Sequence, residues 1–452
     1  MEEQDIKRLI ALDHQYLWHP FTQMKGWLEE EAVIIERGRG DFLYDLQGRV
    51  YLDGISSLWV TVHGHGRPEI NQAIKDQVDR ISHSTLLGLG SPPSIELAAR
   101  LVEISPPGLK RTFYSDAGAT AVEIALKMAF QYWQQTGSPR RKRFAALNLA
   151  YHGDTIGAVS VGGMDLFHAA YRPLLFKTVR LPSPYCYRCE LEKDPADCGL
   201  GCAAEAEKIL DREGETLAAL IVEPLVQGAA GMITQPEGYL RRLAAACRRN
   251  GVLLIADEVA VGFGRTGTMF ACTQEQVAPD ILCLGKGLSG GYLPLAATMT
   301  TEAVFKDFLG EYDEFKTFFH GHTFTGNPVA CAAALASLDL FIKDETLESL
   351  QPKIQRLADR LKPVGELEHV GQVRQRGFMV GIELVEDKET RQPYPSGLRV
   401  GHQVILEARR RGVILRPLGD VLILMPPLSI APENLDKIVE VAAASIKAVT
   451  QG

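Results

Sequence analysis

Two residues, Asp257 and Lys286, stand where layered α/β proteins do their chemistry. Residues 252–256 read Val-Leu-Leu-Ile-Ala, a short apolar run suited to a strand buried on both faces, and the run ends at Asp257-Glu258. Residues 280–284 form a second such run, which leads into Gly285-Lys286-Gly287. Open parallel sheets bind ligands outside the carboxyl ends of their strands. A carboxylate and a lone amine therefore meet at the reactive edge. That pair suits pyridoxal phosphate (PLP). The lysine amine forms a Schiff base, and the aspartate keeps the pyridine nitrogen protonated so that the ring accepts electrons. Strand-terminal Asp and Lys residues also occur as plain solvated or ion-paired groups, so the pair needs support from the rest of the chain.

Other stretches supply it. Asp116-Ala117-Gly118-Ala119-Thr120 falls between a strand pattern and a helix pattern. Its small residues let backbone N–H groups approach an anion, and the helix start favours negative charge, so Gly118 and Ala119 are candidates for a phosphate cup. A tight turn without a ligand reads the same way. Tyr151 follows a strand pattern and could stack on a flat cofactor ring. The loop His320-Gly321-His322-Thr323-Phe324-Thr325-Gly326-Asn327-Pro328 precedes a helix and could reach a phosphate through Thr323. Neither His320/His322 nor His63/His65 has the spacing or carboxylate company of a metal site. Arg416 sits in the run Val413-Ile414-Leu415-Arg416-Pro417, read as one strand end, where a guanidinium could grip a carboxylate bidentately. Cys186, Cys189, Cys198 and Cys202 form two close pairs in a Pro- and charge-rich stretch. Four free thiols are the preferred reading and a structural zinc the alternative, so no metal is expected.

These residues need a scaffold. A chain of 452 residues exceeds one compact core. Hydrophobic residues make up 46% and charged residues 23%, ordinary globular values, and the net charge of -8 carries no basic run. Nucleic-acid and anionic-membrane surfaces are therefore not expected. No apolar run reaches the ~18 residues of a membrane span. The acidic opening segment does not read as a secretory signal, and eight Cys then fit a reducing cytoplasm. A helix is expected over residues 2–18, then a small β-meander over residues 32–53. From about residue 68, strand and helix patterns alternate, which implies a mostly parallel sheet covered by helices. From about residue 335, helices mix with short strands. The expected division is residues 1–60, an N-terminal part of the small domain; 61–334, the large cofactor-binding domain; and 335–452, the rest of a small α+β domain.

Taken together, Asp257-Glu258-Val259, residues 262–267 (Gly-Phe-Gly-Arg-Thr-Gly), residues 284–287, Tyr151-His152-Gly153 and residues 322–328 resemble the class III, fold type I, PLP-dependent aminotransferases nearly from end to end. Residues 18–24, 54–59, 83–88, 416–420 and 425–428 are similar to a biotin-pathway branch of that class, which aminates 8-amino-7-oxononanoate to 7,8-diaminononanoate. The resemblance implies a homodimer with shared active sites. It implies that Lys286 carries the cofactor, Asp257 pairs with the ring nitrogen, Gly118 and Ala119 hold the phosphate, and Thr323 reaches it from the neighbouring subunit. Tyr151 would stack on the ring and border the substrate. Glu223, Val259 and His322 would lie against the cofactor. Phe21, Leu58, Trp59 and Gly321 would line the substrate site, and Arg416 would bind the oxononanoate carboxylate. Two departures stand out: Ala117 replaces the usual serine before the phosphate-binding glycine, and Leu58-Trp59 replaces a Trp pair that helps form the donor pocket of members using S-adenosylmethionine, which usually also carry Tyr where Phe21 stands. S-adenosylmethionine is the expected donor and lysine the alternative.

Overall fold

A seven-stranded sheet carries the reactive edge. In spatial order its strands are Leu109–Ser115, Ala296–Thr301, Ile281–Leu284, Leu253–Asp257, Leu217–Val222, Arg143–Leu147 and Thr178–Leu181. Ala296–Thr301 runs antiparallel to both neighbours, and the remaining pairs are parallel. The computed structural model describes residues 3–451, so Met1, Glu2 and Gly452 lie outside the described residues. The central strands are apolar because helices cover both faces. All six residues of Leu217–Val222 and all five of Leu253–Asp257 are buried. The helix Gly118–Gln135 packs Val122, Ile124, Ala125, Met128 and Ala129 inward. Tyr239–Arg249 faces the core with Leu240, Leu243, Ala244 and Cys247 while its arginines point outward. Prolines open the helices Pro68–Arg80, Pro92–Ile104, Pro328–Lys343 and Pro432–Thr450, where a missing N–H costs nothing. Asn327 caps one of these, its side-chain oxygen accepting from the N–H groups of Val329 and Ala330 at 3.0 and 3.1 Å.

The two ends of the chain meet. Ile35–Arg39, Phe42–Asp45 and Val50–Asp53 form the expected meander, and Val413–Ile414 joins it as a fourth, parallel strand beside Val50–Asp53. A second four-stranded sheet orders Val370–Arg376, Met379–Leu384, Val421–Leu424 and Arg416–Leu418. One expectation is corrected here. Residues 413–417 are not a single strand, since Val413–Ile414 belongs to the first of these sheets and Arg416–Leu418 to the second. Leu415 lies between them, and Arg416 sits where the chain switches sheets. The first helix stops at Tyr16 rather than 18. The edge strand Thr178–Leu181 was absent from the sequence reading; with alternating half-buried and buried residues, it lacks an unbroken apolar run. The helix Pro328–Lys343 runs unbroken across residue 335.

Candidate active site

Adjacent parallel strands bring the carboxylate and the amine together. Asp257 lies opposite Cys283, and Lys286 follows three residues later, on the short turn that leaves the strand. Lys286 holds a left-handed backbone with φ of 42°, uncommon for a side chain other than glycine. Its Nζ rests 5.2 Å from the centroid of the Trp59 ring. Burial holds the Lys286 pKa below the usual lysine value, while Asp257 and Glu223 pull it back upward. Asp257 is buried with both oxygens engaged: Oδ2 against His152 Nδ1 at 2.7 Å, and Oδ1 accepting from the Val259 N–H at 3.1 Å. Glu223, also buried, accepts from the N–H groups of Tyr151 and Gly228 at 3.1 and 2.9 Å. Burial pushes its pKa up to about 7, and Asp257 adds to that push.

The helix Gly118–Gln135 starts beside this pair. As its first residues, Gly118 and Ala119 have N–H groups with no partner inside the helix. Close packing surrounds them. A Cβ on Gly118 would lie 2.4 Å from Val259 Cγ1, and one on Gly153 would lie 2.4 Å from Ala119 Cβ. Ala117 has no hydroxyl with which to cap the helix. Thr120 supplies one instead, accepting from the Ala117 N–H at 3.1 Å and donating to the Ala117 carbonyl at 2.7 Å.

Tyr151 joins the Glu223 carboxylate to an aromatic cluster. Its hydroxyl donates to Asp154 at 2.7 Å, and burial pushes its pKa well upward. Its ring meets Phe167 edge-on at 6.2 Å, and Phe167 meets Phe21 at 5.5 Å. Trp59 is buried while Leu58 is 47% exposed, because the 56–59 segment kinks between them. Asp53 pins that kink by accepting from the Ser57 N–H at 3.0 and 2.8 Å. Arg416 is half-buried. Burial holds its pKa below the usual arginine value, and Tyr151 is the group that opposes this.

Lys286, Asp257, Glu223, Val259, Gly118, Ala119, Tyr151 and Trp59 thus form one cluster, with Phe21 and Arg416 joined to it through Phe167 and Tyr151. Gly321 and Thr323 are not drawn in: both are exposed, and a Cβ on Gly321 would meet nothing within 4 Å. His322 Nδ1 contacts Asp116 Oδ2 at 2.6 Å, which holds this loop near the helix start. Sequence reasoning passed over His152, Asp154 and Phe167. The first two follow Tyr151 by one and three residues, in a stretch outside any strand where no periodic pattern singles them out. Phe167 carried no signal either, since it joins the site only through tertiary packing.

Comparison with known proteins defines the class first. Residues 25–446 match the family model for class-III aminotransferases, and the chain belongs to that family. Among its relatives, the adenosylmethionine-8-amino-7-oxononanoate aminotransferase of Nitratidesulfovibrio vulgaris is 59% identical, over 98% of this chain and 82% of the relative. The crystal structure of the protein of that name from Methanocaldococcus jannaschii superposes with a TM-score of 0.95 at 48% identity, covering 98% of this chain and 100% of the other. An amine transaminase from an uncultivated Pseudomonas species, solved in a PLP-bound form, gives 0.91 at 37% identity, covering 96% and 99%.

Proposed function

We propose that the enzyme converts 8-amino-7-oxononanoate to 7,8-diaminononanoate in biotin biosynthesis, with S-adenosylmethionine as amino donor and PLP as cofactor. The 59% identity to a relative named for that pair of substrates carries the reading. The residues present fit the cofactor. A buried amine faces a held carboxylate, and two helix-start amides lie alongside, where the Val259 side chain leaves no room for a Cβ on Gly118.

PLP, when bound, supplies an electron sink for the carbon that gives up a proton. Lys286 Nζ tethers it, and burial raises the share of neutral amine able to do so. With PLP held there, the same Nζ would be the group placed to carry a proton to and from the reacting carbon. Asp257 keeps a proton on the ring nitrogen, and contacts from His152 and Val259 fix that carboxylate in place. Gly118 and Ala119 bind the phosphate through their amides. Tyr151 orients the ring, and its hydroxyl is tied to Asp154. Arg416 pairs with the carboxylate of the oxononanoate, while Phe21, Leu58 and Trp59 shape the donor end. Thr323, Gly321 and His322 serve a partner's site in a homodimer. Their exposed loop and its exposed aromatic neighbours Phe315, Phe319 and Phe324 support that assembly. The small domain is built from residues 1–60 and 335–452 around the large domain of residues 61–334, and Pro328–Lys343 serves as the connecting helix; the pairing of Val413–Ile414 with Val50–Asp53 supports this division. Eight free thiols support a cytoplasmic enzyme. No helix of the described residues is long and apolar enough to cross a membrane.

Lysine as donor is the second reading, and Leu58 favours it. A leucine offers no flat face to an adenine, a loss of about 0.5–2 kcal/mol, or roughly two- to thirtyfold in affinity. Single-turnover half-reactions with each donor separate the two, read as loss of the bound cofactor's absorbance. Transfer from S-adenosylmethionine is expected to be faster, and Leu58→Trp should leave it alone or raise it. Lysine reacting at least about tenfold faster at equal concentration, a 1.4 kcal/mol preference, overturns the donor. Regeneration by a simple ketone faster than by 8-amino-7-oxononanoate overturns the acceptor and favours an ω-amino acid transaminase.

A further inference from the structure

Four of the eight cysteines gather just after the edge strand Thr178–Leu181. Cys186, Cys189, Cys198 and Cys202 all line one cavity of about 20 Å³, room for a single small species. Burial pushes both the Cys186 and Cys202 thiols up, and nearby cysteines add to this, Cys189 and Cys198 for Cys186, Cys186 and Cys198 for Cys202. All four are free, half-exposed thiols, whereas the other four cysteines are buried singly in the core.

Local structure accounts for the gathering. The short turn Cys186–Arg188 folds the chain back between Cys186 and Cys189. Cys202 is the second residue of the helix Gly201–Glu213; burial pushes its thiol pKa up to about 11, and the first-turn amides offset part of that. Lys193 also lines the cavity and brings a positive charge.

The same turn grips the C-terminal sheet. Tyr185 donates its hydroxyl to Glu383, and Arg188 Nε donates to Glu383 Oε1 at 2.7 Å. The Tyr187 carbonyl accepts from Arg391 at 2.6 Å, and the Tyr187 hydroxyl abuts Gly371. Arg374 completes the network, donating to the Tyr185 hydroxyl at 3.0 Å. The cysteine cluster thus stands directly behind the contact between this segment and the sheet of residues 370–424.

We infer that Cys186, Cys189, Cys198 and Cys202 bind one zinc ion, a structural clip that stiffens the segment through which the large domain holds the C-terminal sheet. Among the described residues, no three His, Cys, Asp or Glu side chains stand as a ready ligand set, so the ion itself draws the sulfurs inward, to bonds of about 2.3 Å. Binding releases the thiol protons to solvent as the sulfurs become thiolates. Four thiolates fill a tetrahedral ion and leave no position for water, so the site is not catalytic.

Elemental analysis of holoenzyme purified without added metal tests this. About one zinc per chain is expected, and less than about 0.1 overturns the inference. In the native holoenzyme these four thiols should resist a disulfide reagent until a mercurial displaces zinc, with zinc release tracking thiol modification. Four thiols that react at once, or a Cys–Cys disulfide found by mass mapping, overturn it. Cys186→Ser/Cys189→Ser should lose zinc and melt several degrees lower, while the donor half-reaction stays within about threefold, under 1 kcal/mol. A variant that keeps a full zinc per chain places the ion elsewhere and overturns the inference as well.

Discussion

Burial lowers the Lys286 pKa, and the Trp59 face beside its amine is the aromatic wall of that buried site. A tether and proton shuttle are the roles proposed for it. Lys286→Ala should therefore abolish turnover, by several orders of magnitude, yet retain some cofactor through phosphate and ring contacts. Absorbance and steady-state rate measure the two separately. Near-normal turnover would refute the assignment. Asp257→Asn keeps the shape but cannot balance a protonated ring nitrogen. Its rate should fall by well over tenfold, and a loss within tenfold, about 1.4 kcal/mol, removes Asp257 from its role. Arg416→Ala should raise KM for 8-amino-7-oxononanoate while sparing the donor half-reaction. Equal damage to both halves would show that Arg416 supports the pocket rather than the substrate. Lys286 and Asp257 were legible in the sequence because each ends an apolar run. His152 was not, because its contact with Asp257 spans 105 positions and no local pattern encodes it.

At the scale of elements, the site depends on how closely a loop and a helix start approach. Gly153 has φ of +121° and no space for a side chain, since a Cβ would lie 2.4 Å from that of Ala119. Gly153→Ala must strain the backbone and push the helix start away, each costing roughly 1–3 kcal/mol. Cofactor affinity should fall at least about tenfold in a titration followed by absorbance. Gly397→Ala, where a Cβ meets nothing within 4 Å, serves as the control. If both variants bind alike, the close approach does not shape the phosphate cup. The alternation of strands and helices was readable from the spacing of apolar residues, as was the helix Gly118–Gln135, whose buried positions recur every three or four residues. The switch of sheets at Leu415 was hidden, because two short strands of different sheets abut there and read as a single apolar run.

Across the whole molecule, two buried carboxyls set a pH dependence. Glu223 and Glu258 have pKa values pushed up to about 7 by burial, above the ordinary 4.5. A group that binds its proton more tightly when folded stabilises the fold most below its unfolded pKa, and that contribution is lost as pH rises through the folded value. Apoenzyme stability from these groups should therefore fall between about pH 4.5 and 7. Glu223→Gln removes one share, so its melting temperature should gain on wild type as pH rises from 5 to 8, by up to roughly 2–3 kcal/mol of stability. A constant difference across that range would show that Glu223 titrates normally. The parallel pairing of Val413–Ile414 with Val50–Asp53 has a consequence in time. About 360 residues separate the two strands, so a ribosome adding about 5–20 residues per second completes the partner some 20–70 s after the meander has emerged. Throughout that interval the Val50–Asp53 edge lies open on the nascent chain. The stretch that closes it, Val413–Ile414, is translated after the whole seven-stranded sheet.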